Sequence, residues 1–316
     1  MNVKYLGSRL VQALAVLWGS FTLIYVLLTV MPGDAVSIRF ANPDTGLTAE
    51  QVEQMRSYYG QDESLLVNYF QTILNFVKGD FGVSLSSGMP VRGLIADALP
   101  STIQLATTAF VAAVLLGALI AWFANYTRWK WLSQLLLATP SLFVSVPTFW
   151  LGIMLIQLFS FKLGWVPLLG GSALQSLILP VATLAVPLSA PVAQVFSRSM
   201  QAAFAEPFVT VAAAKGASRR WIMQRHVAKY AVLPTLTIAG VILGELIAGS
   251  VVTEIVFGRA GIGRLTESSI SSQDAPVLQA IVVVSAIVFV AANSLVDVLY
   301  TTLDPRIGAQ KKVAVK

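Results

Sequence analysis

The sequence contains no cysteine and a single histidine among its 316 residues. The lack of cysteine excludes disulfide bonds and thiolate metal sites, and it leaves the redox state of the compartment undetermined. Charged residues are also scarce, at 11%, whereas a soluble domain carries about 25%. With 56% hydrophobic residues and a mean hydropathy of +0.75, the composition is that of a protein surrounded by lipid.

Sequence signatures of catalysis are absent as well. No Gly-Lys-Ser/Thr phosphate loop, His-Glu-x-x-His zinc motif or Gly-x-Ser-x-Gly nucleophile elbow occurs. The one histidine, His226, lies in a basic segment, where a packing or docking role is expected rather than a catalytic one. We therefore expect no catalytic residue, no metal site and no cofactor bound by this chain.

Six apolar runs have the length of about 20 residues that crosses a bilayer as a helix. The first follows Lys4 and Arg9, is too long for the core of a signal peptide and precedes no small-residue cleavage site, so we expect it to be retained. The predicted fold is an all-α membrane protein with six transmembrane helices, at residues 10–30, 102–125, 135–161, 176–196, 233–256 and 277–299.

The distribution of basic residues predicts which side of the membrane each connection faces. Connections on the side of the two termini contain fourteen lysines and arginines, whereas the short connections on the opposite side contain three. Because cytoplasmic loops are enriched in these residues, both termini are predicted to be cytoplasmic. This bias also explains the net charge of +6 without a nucleic-acid partner.

Residues 31–98 form a long segment between the first two spans, with eight acidic and four basic residues. Thr48 and Gln51 have the spacing of a capping box, and apolar residues further along recur at helical spacing. We expect a large extracytoplasmic insert of two or three short helices. It would either cover the mouth of a pore or form a platform for an external binding protein.

A basic segment, residues 198–232, separates the fourth and fifth spans. It predicts a short helix that begins at Pro207, where a missing N–H costs little, and ends at Gly216, which can adopt a left-handed cap. Ser218 can cap a second helix that runs to Pro234. The segment is therefore predicted to form two short helices.

Arg219 and Arg220 lie at the positive end of the dipole of this second helix, where acidic residues would be favoured. A group outside the helix must therefore compensate for their charge. Two interpretations fit: a basic loop bound to lipid headgroups, or a docking element for a cytoplasmic partner.

The same segment resembles the EAA loop of ABC importer permeases, in the version found in the peptide, nickel and opine importers. In that family the loop forms a cytoplasmic coupling helix, which sits in a groove of an ATPase subunit. Thr210 and Val211 depart from the usual pattern, so no contact is carried over to them. The resemblance implies that the ATPase-coupling residues are Glu206, Phe208, Val209, Ala212, Ala214, Lys215, Gly216, Arg219, Arg220, Arg225 and His226.

Further stretches resemble the same subfamily, so the similarity extends from Pro32 to Ile307. They include Gly79-Asp-Phe-Gly-x-Ser84 in the insert and a glycine-rich loop after the fifth span, in which Ala260 replaces the usual proline. Phosphate binding by this loop is excluded, because the loop is predicted on the outer face and joins no strand to a helix. The residues assigned to docking of an external binding protein are Asp62, Asp80, Gly261 and Gly263.

Small residues and prolines in the predicted spans indicate candidate positions at an interface between permeases or on the translocation pathway. A Gly-x-x-x-Gly pattern gives the fifth span a small face that lets another helix approach, and the glutamate beside it needs a cavity, a partner helix or a polar group. Prolines in the third and fourth spans predict either a kinked, cavity-lining bundle or ordinary helix bending. The candidates are Gly240, Gly244, Glu245, Pro147 and Pro187.

Three classes of function remain open on these residues: an ABC importer permease, a secondary transporter or channel, and an intramembrane enzyme. A secondary transporter requires an ion-coupling network or inverted repeats but no docking helix, and an enzyme requires a nucleophile with a base. The resemblance supports the first class. It implies a second homologous permease, two ABC ATPase subunits that bind ATP and Mg, and an extracytoplasmic solute-binding protein, at the bacterial inner membrane.

The resemblance leaves the cargo open among peptides, nickel and metal–opine chelates. It also implies an organisation into a first transmembrane helix, an insert, a five-helix permease core that includes the coupling loop, and a cytoplasmic tail. The predicted boundaries of these parts are residues 1–30, 31–98, 99–307 and 308–316.

Overall fold

The computed structural model describes residues 3–30, 64–167 and 171–303. Within these ranges the chain is helical, apart from loops and one isolated β-bridge between Val83 and Pro90. Two helical segments, Ile156–Lys162 and Met223–Val227, are π-helical. The α-helices are α1 (Val3–Val30), α2 (Leu65–Val77), α3 (Val91–Tyr126), α4 (Lys130–Ser145), α5 (Thr148–Leu155), α6 (Gln175–Phe204), α7 (Pro207–Ala214), α8 (Arg219–Ile222), α9 (Ala228–Val256), α10 (Ile262–Ser271) and α11 (Ala275–Leu303).

Three predictions fall outside the described residues: the capping box at Thr48 and Gln51, the docking residue Asp62, and the tail from residue 308. The chain divides into two compact units. The first comprises Met1–Ser101 and Ala260–Val288, and the second comprises Thr102–Arg259 and Phe289–Lys316.

In the first unit, α3 begins at Val91, well before the predicted start of the second span at residue 102. Arg92 and Asp97 are exposed on this early part of the helix, while its apolar face is buried. The last residues of the predicted insert are therefore helical, because tertiary burial of one face outweighs the charges on the other. That buried face joins a core of Val91, Ile95, Ala98, Ile262, Val277, Ala280 and Ile281.

In the second unit, α6 packs against α4, α5 and α9. Gly117 allows α3 and α6 to approach closely, since a Cβ atom at this position would lie 2.6 Å from the carbonyl oxygen of Ser189. The buried side chains between these helices are Leu105, Ala109, Leu177, Leu184, Val192, Ile242 and Leu246.

The predicted third span is broken in the structure. α4 ends at Ser145, and the helix axis bends by 100° before α5 and its π-helical continuation. Pro147 lies in the break as the N-cap of α5, and Val146 before it is extended, as expected for a residue that precedes proline. Five described helices are long and apolar enough to cross a membrane, and the number rises to six if the bent pair crosses as one span.

Prolines elsewhere lie within helices. Pro187 is inside α6, together with two further prolines, and Pro234 is inside α9. The second helix of the basic segment, predicted to end at Pro234, instead continues in helical form to Val256. Buried residues on either side of the proline, Ala231 and Ile242, hold the helix in the core, and this packing outweighs one missing hydrogen bond.

Candidate functional site

α7 is the predicted first helix of the basic segment, and its two ends have the predicted geometry. Pro207 is its first helical residue. At the other end, the N–H of Ala217 donates to the carbonyl of Ala212 (3.1 Å), and the N–H of Gly216 donates to the carbonyl of Ala213 (2.9 Å). This hydrogen-bond pair is a Schellman motif, and Gly216 has the positive φ of 83° that the motif requires. The predicted left-handed cap is confirmed.

One face of α7 packs against the helical bundle and the other is exposed. The inner face consists of Phe208, Val209 and Ala212. These side chains contact a buried cluster whose residues belong to α3, α6, α8, the π-helical segment Met223–Val227 and α9. Glu206, the N-cap, is half-buried, and Val211 on the opposite face is 54% exposed. Three of the predicted coupling residues therefore fix α7 in place. The predicted coupling residues that are exposed are Ala214, Lys215, Gly216, Arg219, Arg220, Arg225 and His226.

The positive charge of Arg219 is compensated by the carbonyl end of α3. The guanidinium Nη2 of Arg219 donates to the carbonyl oxygen of Asn125 (3.1 Å), the penultimate residue of α3. The Cζ atom of Arg219 lies 5.5 Å from the ring centroid of Phe204. A cation is favourable at this position, because the carbonyl end of a helix dipole is negative. The Asn125 side chain also donates to the hydroxyl of Ser197 on α6 (2.9 Å). Arg219 thus joins the basic segment to α3 and α6.

The predicted cap of the second helix is also present. The hydroxyl of Ser218 accepts a hydrogen bond from the N–H of Trp221 (3.3 Å). The ring of Trp221 meets His226 edge-on at 5.1 Å between centroids, and His226 lies 6.0 Å from the ring of Phe208 on α7. The single histidine therefore packs between the two short helices of the basic segment.

The small face of α9 serves close helix contact within the chain. Gly240 is buried. A Cβ atom at Gly244 would lie 2.8 Å from the ring of Phe289, a residue of α11. α11 therefore approaches α9 closely at Gly244, and a role of this face at a permease interface or on a pathway stays a prediction.

The buried carboxylate of α9 is Glu254, whereas the carboxylate singled out in the sequence, Glu245, is exposed on this chain. Glu254 accepts a hydrogen bond of 2.6 Å from the hydroxyl of Thr102. Its position near the end of an apolar run resembles that of a solvated boundary residue, so sequence reasoning missed it. Of the candidate prolines, Pro147 is exposed and Pro187 is half-buried.

The predicted docking residues for an external protein differ in accessibility. Asp80 is exposed, and its side chain accepts a hydrogen bond from the N–H of Gly82 (3.0 Å), which shapes a tight turn. Gly261 and Gly263 are buried at the start of α10. In this conformation the two glycines shape the loop and do not present a contact surface.

A second buried carboxylate, Asp274, was not among the predicted site residues. It is 1% exposed and accepts hydrogen bonds from the hydroxyl of Ser84 (2.6 Å) and from the N–H groups of Leu85 (3.1 Å) and Ser86 (3.0 Å). It therefore fixes the loop at residues 84–86 to the residue that precedes α11. Ser84 and Asp274 are 190 positions apart, and no local sequence pattern predicts that they meet.

No metal centre is formed by the part of the chain that the structure describes: it contains no group of three or more His, Asp or Glu side chains placed to hold a metal ion. The described geometry is therefore that of an apolar helical bundle with a short, half-exposed helix and basic side chains beside it.

Comparison with known proteins identifies related transport proteins. Residues 113–309 match the model of the family described as binding-protein-dependent transport system inner membrane component. The glutathione transport system permease protein GsiC of Escherichia coli strain K12 is 34% identical over 305 residues, which cover 96% of this chain and 99% of GsiC. GsiC of Shigella dysenteriae serotype 1 strain Sd197 is similar to the same extent, with the same coverage.

Solved structures share the fold at lower identity. An inward-facing crystal form of the MetNI methionine ABC transporter aligns with a TM-score of 0.55 and 16% identity, over 67% of this chain and 96% of the other. The crystal structure of an amino acid ABC transporter with histidines aligns with a TM-score of 0.51 and 19% identity, over 66% and 94%. The match to the family model and the similarity to GsiC along nearly the whole chain lead to one conclusion: this chain belongs to the binding-protein-dependent transport system inner membrane components, as a permease subunit of an ABC importer of the peptide type.

Proposed function

We propose that this chain forms the translocation pathway of an ATP-driven importer together with a second, homologous permease. In this proposal two ABC ATPase subunits bind ATP and Mg and hydrolyse the ATP, and an extracytoplasmic solute-binding protein delivers the cargo. Both termini and α7 face the cytoplasm, in keeping with the excess of basic residues on that side.

The observation that carries the proposal is the two-sided packing of α7. Phe208, Val209 and Ala212 tie its inner face to the bundle, while Val211, Ala214 and Lys215 remain exposed on its outer side. A helix that transmits force between subunits needs both properties: a surface for the partner and a rigid connection to the part that moves. α7 is the coupling helix in our proposal, and its outer face contacts an ATPase subunit.

Coupling would pass from α7 to the bundle through a small number of named contacts. The cluster under α7 includes Ala121 of α3 and Met200 of α6, and Arg219 links the adjoining short helix to the end of α3. Closure of the ATPases on ATP would shift these helices as one packed block. ATP and the loaded binding protein must each bind the outward-facing state more tightly than the inward-facing state, because a ligand without such a preference shifts no population.

The proposed cargo is a peptide or a related small solute. The support is the 34% identity along nearly the whole chain to a permease named for glutathione transport, since glutathione is itself a small peptide. Nickel and metal–opine chelates are the alternative cargo, because importers of the resembling subfamily carry them.

The proposal is tested first by affinity purification of the tagged chain from its native membrane in mild detergent, with identification of the co-purifying subunits. We expect one further permease, ATPase subunits and a solute-binding protein. The recovered complex, reconstituted into proteoliposomes, should take up labelled glutathione or short peptides only with ATP inside the compartment that the ATPases face. A complex whose ATPases bind ATP without hydrolysing it serves as the control.

The outcomes separate the alternatives. Uptake of a nickel chelate, with no uptake of peptides, would replace the proposed cargo and retain the importer. Uptake by this chain alone, without ATPases, would overturn the proposal and indicate a secondary transporter.

A further inference from the structure

α2 presents an apolar surface that is exposed in the part of the chain that the structure describes. The helix Leu65–Val77 contains no charged residue, and none of its residues is buried. Leu66, Phe70, Leu74 and Val77 are between 58% and 81% exposed. Steps of four, four and three residues place these four side chains on one stripe of the helix.

The polar residues of α2 lie on a different face. Asn68, Gln71 and Asn75 are separated by three and four residues, so they also form a stripe. Since successive helical residues are about 100° apart, this polar stripe is turned roughly 140° away from the centre of the exposed apolar stripe. α2 is thus amphipathic on its uncovered surface.

A third face of α2 is attached to α1. The hydroxyl of Tyr25 donates to the carbonyl of Leu65 (3.0 Å), and the hydroxyls of Thr22 and Tyr69 are 2.7 Å apart. Further along, the ring of Phe76 meets that of Phe21 edge-on, with 5.4 Å between centroids. These contacts fix both ends of α2 to the same short stretch of α1.

The spacing of the contacts gives the direction of α2. They advance by four residues on α1, from Tyr25 to Phe21, which is a rise of about 6 Å. Over the same contacts α2 advances from Leu65 to Phe76, which is about 16 Å of helix. α2 therefore crosses α1 obliquely, with contacts to α1 near both of its ends.

The attachment lies near one end of the candidate membrane span of α1. The candidate span of α1 is Gly7–Leu28, so Phe21 and Tyr25 belong to its last third. Apolar side chains at the same level of α1, Leu23 and Leu27, are 64% and 54% exposed, as expected for a surface in lipid. A helix that starts at this level and crosses obliquely stays near the boundary between acyl chains and headgroups.

We propose that α2 is an interfacial helix, whose stripe of Leu66, Phe70, Leu74 and Val77 inserts among the acyl chains of the leaflet at the end of α1. Its amide side chains face the headgroups and water. The partner of the stripe is lipid, because the stripe is uncharged, lies at the depth of a bilayer boundary and is attached to a helix that exposes apolar residues at the same level.

The absence of cysteine from the whole chain makes a direct test possible. Single cysteines replace Phe70 and Leu74 on the stripe and Gln71 and Asn75 on the polar face, and each carries a nitroxide spin label. The full chain is measured within its assembled transporter in lipid nanodiscs, against oxygen, which partitions into lipid, and against a water-soluble nickel chelate. Leu23→Cys on α1 is the lipid reference.

We expect the labels at Phe70 and Leu74 to match the lipid reference, with an accessibility to oxygen severalfold above the accessibility to the chelate. The labels at Gln71 and Asn75 should be more accessible to the chelate than to oxygen. Equal chelate access on both faces would place α2 in water and overturn the proposal. Protection of the stripe from both reagents would also overturn it, since protein would then cover the stripe. If a stripe variant does not assemble, Leu66→Cys takes its place. The readout does not depend on cargo or ATP, so it can fail while the proposed function stands.

Discussion

The hydroxyl of Ser84 donates a hydrogen bond of 2.6 Å to the buried carboxylate of Asp274, although 190 residues separate the two in sequence. Two backbone N–H groups, of Leu85 and Ser86, donate to the same carboxylate. The carboxylate therefore replaces water for three donors of one loop.

Asp274→Asn should loosen this loop. An amide has one oxygen, so at least one of the three donors faces an N–H₂ group, and a buried donor without an acceptor costs about 1–3 kcal/mol. We expect faster hydrogen exchange at Leu85 and Ser86, measured by mass spectrometry. Asp80→Asn is the control, because Asp80 is exposed and its bond to Gly82 lies outside the loop. Unchanged exchange in Asp274→Asn would show that the carboxylate does not hold the loop.

Gly216→Val should uncouple ATP hydrolysis from uptake. The residue has φ of +83°, a conformation that costs an L-amino acid about 1–2 kcal/mol and a β-branched residue more, so the end of α7 would rearrange. Gly216→Asn is a matched control, since asparagine tolerates this φ and a Cβ atom here meets nothing within 4 Å. We expect cargo-stimulated ATPase activity and uptake to be retained in the Asn variant and lost in the Val variant. Normal coupling in Gly216→Val would contradict the assignment of α7 as the coupling helix.

Arg219→Gln should destabilise the basic segment, whereas Arg220→Gln should not. Both changes remove one positive charge from the start of α8, but only Arg219 donates to the carbonyl end of α3. The expected loss is about 1–2 kcal/mol, from the helix dipole and a charged hydrogen bond. Thermal unfolding of the purified protein in one detergent, followed for both variants, gives the comparison. Equal melting temperatures would show that the contact with Asn125 contributes nothing.

Gly117→Ala should lower the free energy of unfolding, because the added Cβ would lie 2.6 Å from the Ser189 carbonyl oxygen and 2.7 Å from the Val192 Cβ atom. Forced separation of packed helices costs roughly 1–3 kcal/mol. Gly93→Ala on the same helix is the control, since its Cβ meets nothing within 4 Å and alanine favours helix by up to about 1 kcal/mol. Denaturant or thermal unfolding distinguishes the two variants. A Gly117→Ala protein as stable as Gly93→Ala would mean that α3 and α6 are not packed this tightly.

The features of the fold that could be predicted from sequence are those that depend on neighbouring residues. The length of an apolar run sets a possible membrane span, and the helix of the basic segment follows from Pro207, Gly216 and Ser218, whose effects act over a few residues. Which face of α7 is exposed depends in addition on its packing against α3 and α6.

The tertiary structure decided which distant groups meet. Asn125 and Arg219 are 94 residues apart, Thr102 and Glu254 are 152 apart, and only packing brings each pair within hydrogen-bond distance. The same holds for the proline effects: Pro147 marks a bend of 100°, whereas Pro234 lies inside a continuing helix. Proline removes the same hydrogen bond in both places, so the difference comes from how strongly the flanking residues are held in a core, which local sequence does not encode.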